Sequence, residues 1–176
     1  MTIEDKPQLR ARYRALREGL KSPERDEQIL QKFLASPFFE KSSFFVYHSV
    51  GAEADTLQII KALLAADKQV YLPRIAGKNM LAAPYSLERE IVFGIPQPKE
   101  GGDHSAEVII TPLLAFDQEG YRLGCGGGYY DRYFASHKGV RVGLCYQGQA
   151  VKALPRGRFD LPLDAVVTEA GVEFFT

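Results

Sequence analysis

Cysteine is scarce in this chain of 176 residues: Cys125 and Cys145 are the only two. They cannot build a disulfide framework or a four-cysteine zinc site. Charge of one sign is also missing. With 22 basic and 22 acidic residues the net charge is zero, so the Lys/Arg excess behind general phosphate-backbone affinity is absent and no nucleic-acid partner is expected. No apolar run approaches the roughly 20 residues that span a bilayer, so no membrane partner is expected either. The opening MTIEDKPQLR lacks the apolar stretch of a secretory signal. His48, His104 and His137 are too scattered to suggest a metal-binding pair. There is no G-x-x-x-x-G-K-[ST] and no G-x-S-x-G. These absences leave a soluble, cytoplasmic protein. Its length suits one domain, residues 1–176, burying about 70% of the unfolded chain's surface.

Periodicity supplies the architecture. Residues 5–20 read as an amphipathic helix on which Leu9, Tyr13, Leu16 and Leu20 make an apolar stripe. Lys6, Arg10, Arg14, Arg17 and Lys21 follow the same spacing. Lys6 and Leu9 lie about 60° apart on the helix, which puts the cations at the margin of the buried face, where they can line a cleft. Ser22-Pro23-Glu24 marks a second helix start. Strands then alternate with helices: strands are expected at 44–50, 69–75, 80–86, 108–110, 140–146, 165–168 and 172–175. A helix capped by Asp55-Thr56 and another over 129–136 fall between them. Residues 91–104 read as a Pro/Gly-rich loop. The expected fold class is α/β: a single-domain three-layer sandwich with a mostly parallel sheet and helices on both faces.

The chemistry concentrates in residues 112–132, PLLAFDQEGYRLGCGGGYYDR, which hold Gly120, Gly124, Gly126, Gly127 and Gly128 between an expected buried strand and a helix. Successive glycines let backbone N–H groups converge on an anion, and the helix N-terminus adds a favourable dipole. A phosphate is the natural guest. A flexible loop is the plain alternative. The dinucleotide fingerprint fails, since Tyr129 stands where its last glycine belongs and no Asp or Glu occurs between Asp131 and Asp160. Cys125 inside the loop could be a low-pKa thiolate or merely a small residue tolerated there. Cys145 reads as core.

The segment RLGCGGGYYD at 122–131 resembles the signature of the 5-formyltetrahydrofolate cyclo-ligase family, also known as 5,10-methenyltetrahydrofolate synthetases. Further matches fall in order along nearly the whole chain. They are Lys6-Pro-Gln-Leu-Arg10, Glu53 after the first strand, Leu72-Pro73-Arg74, Gly94-Ile95-Pro96-Gln97-Pro98 and Asp160-Leu161-Pro162-Leu163-Asp164. Some members carry Lys at the position of Gly127, so here the loop relies on backbone amides, Lys6, Arg10 and Arg122.

The resemblance implies an ATP-dependent enzyme that converts 5-formyltetrahydrofolate to 5,10-methenyltetrahydrofolate with release of ADP and phosphate. It implies ATP binding by Lys6, Arg10, Arg122, Gly124, Cys125, Gly126, Gly127, Gly128, Tyr129 and Asp131, with Asp131 also holding Mg²⁺. It implies a folate site formed by Glu53, Phe93, Ile95, Pro96, Gln97, Pro98 and Tyr130. No protein nucleophile is expected, and the protein is expected to be a monomer. A sugar-phosphate isomerase using the same loop, and a non-catalytic nucleotide- or folate-binding module, are the alternatives. Taken singly, the residues also have plainer readings: Lys6 and Arg10 as a solvated face, Asp131 as a first-turn acid favoured by the helix dipole, Tyr130 and Phe93 as core, and Glu53 as a loop cap.

Overall fold

The computed structural model describes residues 5–175; residues 1–4 of the opening segment and residue 176 of the single-domain span lie outside that range. Helix α1 (Lys6–Leu20) starts at Asp5, whose carboxylate accepts the Gln8 N–H at 2.9 Å while the Gln8 side chain accepts the Asp5 N–H at 3.1 Å. This reciprocal box satisfies two otherwise orphaned donors. Helix α2 (Pro23–Leu34) starts as expected, with the Ser22 hydroxyl accepting from the Arg25 N–H. Of the expected Asp55-Thr56 cap on helix α3 (Leu57–Ala65), Asp55 serves and Thr56 does not. The Thr56 hydroxyl instead donates to the Tyr47 carbonyl at 2.6 Å, and the Asp55 carboxylate accepts the Leu57 N–H.

The central sheet has seven strands: β1 (Ser43–Val46), β2 (Gln69–Ala76), β3 (Asn79–Pro84), β6 (Val108–Thr111), β9 (Val140–Leu144), β10 (Ala165–Thr168) and β11 (Gly171–Phe174). Their order is β11-β10-β9-β6-β1-β2-β3. The five inner strands are mutually parallel; β3 and β11 pair antiparallel at the edges. Pro84 sits at the end of edge strand β3, where a missing donor is tolerated. Strands β1, β6 and β10 are buried throughout, as a sheet covered on both faces requires. Phe44, Val46, Val108 and Ile110 pack with Ile29 and Phe33 of α2 and Ile59 and Leu63 of α3. Phe45 and Ile109 point the other way, against Tyr133 and Phe134 of α4 (Tyr129–Ser136). The expected three-layer α/β sandwich is thus present, with two helices on one face and one on the other.

Three local expectations change. The first strand stops at Val46 rather than Val50, because side chains take the donors a ladder would use: Thr56 Oγ1 accepts the Ser49 N–H and Glu53 Oε1 accepts the Val50 N–H. Residues 91–104 are not wholly loop. Strands β4 (Arg89–Val92) and β5 (Ile95–Pro98) form a hairpin turned by Phe93 and Gly94, with φ of 52° and 76°, the conformation of a tight two-residue hairpin turn. A further unexpected pair, β7 (Ala115–Phe116) and β8 (Arg122–Leu123), leads into the glycine loop.

Helix α1 lies across the segments that follow β6 and β9 rather than flat on a face. Leu9 and Tyr13 pack against Leu114, Ala115, Leu123 and Leu154, but Leu16 remains 39% exposed and the buried residue is Arg17. The reason is chemical. Carbonyls in loops beyond strand ends need donors, and α1 brings them: Arg17 to Leu113 O, Arg10 to Gly124 O and Lys21 to Glu53 O.

Candidate functional site

Strand β1 is flanked by β2 on one side and β6 on the other, so the chain runs outward in both directions from β1. Open parallel sheets bind ligands at such a switch point, beyond the strands' carboxyl ends. A cavity of about 560 Å³ occurs there, walled by Tyr47 and His48 after β1, Pro73 and Ile75 of β2 and Pro112 after β6.

One end of the cavity is polar. Lys6 and Arg10 enter from α1, opposite residues 124–128. The Lys6 ammonium donates to Asp160 at 2.6 Å and Arg10 Nε to the Gly124 carbonyl at 3.0 Å. Burial alone would raise the Asp160 pKa, but the Lys6 hydrogen bond, the Gly157 N–H and the charges of Lys6 and Arg122 outweigh it and hold it below its ordinary value. Gly128 adopts the left-handed conformation, φ 72°, at the N-cap of α4, and no side chain caps that helix. A glycine here leaves the first-turn N–H groups open to an anion. Arg122 lies over the Tyr130 ring at 5.1 Å, and its buried Nε has no hydrogen-bond partner. Burial lowers its pKa and the neighbouring Asp131 carboxylate opposes that shift; a guanidinium stays charged regardless. A cation with an unused donor beside a glycine loop suits an anionic ligand.

The rest of the lining is more apolar. Glu53 is buried, with Oε1 held by the Val50 N–H at 2.9 Å. Burial pushes its pKa up, against the lowering effects of that N–H and of Arg17 and Lys21. Burial and then the nearby Glu53 raise the hydroxyl pKa values of Tyr47 and Tyr130 as well. The β4–β5 hairpin adds Val92, Phe93, Ile95 and Gln97 to the lining. The Gln97 side chain fastens it down, accepting the Ile75 N–H at 2.9 Å and donating to Glu90 at 3.1 Å. Phe93 is 79% exposed at the lip, so its reading as a core residue does not hold.

Of the residues nominated from sequence, Lys6, Arg10, Glu53, Phe93, Ile95, Gln97, Arg122 and the whole run 124–131 line this one cavity. Pro96 and Pro98 do not; side chains alternate along a strand, and Ile95 and Gln97 take the cavity side of β5. Tyr47, His48, Met80 and Asp160 line it without having been nominated. Asp160 belongs to the Asp160–Asp164 D-x-P-x-D element, but nothing local joins it to Lys6. Tyr47 and His48 read simply as strand.

Among the described residues, no group of three His, Cys, Asp or Glu side chains is arranged to hold a metal ion. Asp131 faces the cavity with one oxygen accepting the Leu161 N–H at 3.4 Å, which puts the segment carrying Asp160 beside it. That set fits Mg²⁺, which commonly takes one or two carboxylates and draws its other ligands from phosphate and water.

Fold and cavity define an α/β protein with a candidate ligand site at the sheet's switch point, lined by cations and a glycine loop together with apolar side chains. The chain belongs to the 5-formyltetrahydrofolate cyclo-ligase family, whose sequence profile matches residues 2–169. It is 35% identical to the 5-formyltetrahydrofolate cyclo-ligase of Escherichia coli, over 93% of this chain and 98% of that one. The Haemophilus influenzae 5-formyltetrahydrofolate cyclo-ligase is 36% identical, over 67% of this chain and 71% of its own. The 5,10-methenyltetrahydrofolate synthetase of Aquifex aeolicus, solved by NMR, superposes with a TM-score of 0.84 at 32% identity, covering 96% of this chain and 92% of that one.

Proposed function

We propose that this protein converts 5-formyltetrahydrofolate and ATP to 5,10-methenyltetrahydrofolate, ADP and phosphate, as a cytoplasmic monomer that uses Mg²⁺. The observation that carries the reading is the continuity of the cavity. A cationic glycine loop suited to phosphates, a buried carboxylate and apolar walls line one space, so two substrates can meet in it.

The chemistry suits the residues. A formamide is a poor electrophile because nitrogen donates into its carbonyl, so N10 cannot close the ring unaided. Phosphorylation of the formyl oxygen by ATP removes that obstacle and creates a leaving group. An amide oxygen bears no proton, so this first step needs no general base; it needs alignment and neutralised phosphate charge. Lys6, Arg10, Arg122 and the N–H groups of residues 124–128 supply the neutralisation. Glu53 positions the reduced pterin by accepting from its N–H donors, and Tyr130, Phe93 and Ile95 wall the folate. Asp131, with Asp160 alongside, would hold Mg²⁺, which when bound adds positive charge at the phosphates. The test is direct: mix protein, Mg·ATP and 5-formyltetrahydrofolate and follow the near-ultraviolet absorbance of the methenyl product. Binding of both substrates without that absorbance would leave a non-catalytic binding module instead.

A further inference from the structure

The second half of the reaction requires a proton to move. When the N10 lone pair forms a bond to the activated formyl carbon, N10 still bears its hydrogen and becomes cationic. The carbon–oxygen bond then breaks, its electron pair leaves with phosphate, and the N10 proton must go elsewhere for the neutral nitrogen to conjugate with N5. Across the whole reaction that proton ends on the released phosphate.

We propose that His48 is the catalytic residue that accepts the N10 proton, through Nε2, and passes it to the departing phosphate. This rests on the folate reading above and adds a role that reading leaves unfilled. Three observations support it. His48 lines the cavity two residues after β1, in the same β1–α3 connection that carries Glu53 to it. A base for N10, which is tethered close to the pterin, belongs in the connection that holds the pterin. Its Nδ1 lies 3.1 Å from the Ser49 carbonyl. A carbonyl can only accept, so Nδ1 carries the hydrogen and the neutral ring presents a bare lone pair at Nε2.

The third observation is the poor fit of the alternatives. Glu53 holds the Val50 N–H through one oxygen and is assigned above to the pterin's N–H donors rather than to N10, and Tyr47 spends its hydroxyl donating to the Ala54 carbonyl at 2.7 Å. Tyr130, like Tyr47, is shifted away from ionisation at neutral pH. The groups facing His48 keep it neutral: burial and then the Arg89 guanidinium of β4 lower its pKa, and these outweigh the raising effects of the Ser49 carbonyl, its own backbone and the Asp55 carboxylate beyond the loop. A lowered value keeps the lone pair available through the neutral range.

The experiment compares wild type with His48→Asn and His48→Ala. With Mg·ATP and 5-formyltetrahydrofolate, methenyl formation in a single turnover should slow by about 10²- to 10⁴-fold in either variant, while calorimetric affinities for ATP and for the folate stay at wild-type values. The wild-type rate should fall with one proton as pH drops below the ordinary histidine value of 6.5, and this limb should vanish in His48→Asn. Imidazole added to His48→Ala should restore part of the rate, which a merely misfolded site would not allow. Wild-type turnover matched by His48→Asn, with the same pH profile, would overturn the role of His48 and leave the proposed function standing. No methenyl product from wild type would overturn both.

Discussion

The Lys6 ammonium and the Asp160 carboxylate lie 2.6 Å apart although 154 positions separate them in sequence. This pair ties the first turn of α1 to the segment between β9 and β10, and both residues face the cavity. The contact gives Lys6 a fixed place beside the glycine loop while leaving its charge partly neutralised in the absence of substrate. Arg10, one turn further, is held by the Gly124 carbonyl.

The first prediction concerns these cations. Lys6→Ala or Arg10→Ala should raise the Michaelis constant for ATP more than that for the folate. A lost charge-assisted hydrogen bond is worth roughly 1.5–3 kcal/mol, or about 10- to 150-fold. Steady-state kinetics with each substrate varied in turn checks this, and unchanged ATP constants in both variants would refute the assignment.

Asp131→Asn keeps the side chain's shape and its capacity to accept the Leu161 N–H while removing the charge. Turnover should collapse, with recovery as Mg²⁺ is raised, and thermal unfolding should be unchanged. Activity titrated against Mg²⁺ decides it; wild-type turnover at limiting Mg²⁺ would mean the metal is held elsewhere.

Glu53 carries a pH prediction. Its folded pKa is raised by burial, so the stability it contributes belongs to the protonated form, is complete below the ordinary value of 4.5 and is lost as pH rises through the folded value. Ionised Glu53 therefore costs stability at neutral pH. Glu53→Gln retains an acceptor for the Val50 N–H and should unfold at a higher temperature than wild type near neutrality, the gap closing as pH falls. The same substitution offers the pterin a donor where it needs an acceptor, costing about 1–3 kcal/mol, or roughly 5- to 150-fold in folate affinity. Scanning calorimetry across pH, with folate titrations, reads both. A variant less stable at neutral pH, or one that binds folate normally, would contradict the placement.

Gly143 tests the core beneath the site. A Cβ there would stand 2.6 Å from Leu113 Cδ2, 2.7 Å from Leu163 Cδ1 and 3.1 Å from Val166 Cγ1. Gly143→Ala should cost about 1–3 kcal/mol by overpacking, or roughly 2–12 °C in melting temperature for a domain of this size. The Michaelis constants should be unaltered.

Sequence alone determined the elements whose causes are local. Helix α4 begins where the glycine run ends, α2 begins at Ser22-Pro23, and β6 and β10 are short because brief apolar runs bounded by polar residues can be buried on both faces and then stop. It also determined most of the cavity: Lys6, Arg10, Glu53, Arg122 and residues 124–131 belong to motifs that survive being read one segment at a time. Only the tertiary structure decided the rest. Whether Leu16 or Arg17 is buried on α1 depends on the carbonyl of Leu113, nearly a hundred residues away. Whether Pro96 or Gln97 meets the cavity depends on the register of β5 against β4, which a turn at Phe93 and Gly94 sets. Asp160 and His48 became site residues when parallel pairing brought the carboxyl ends of β1, β2 and β6 around one space, because side-by-side alignment of strands distant in sequence leaves no trace in the spacing of any one of them.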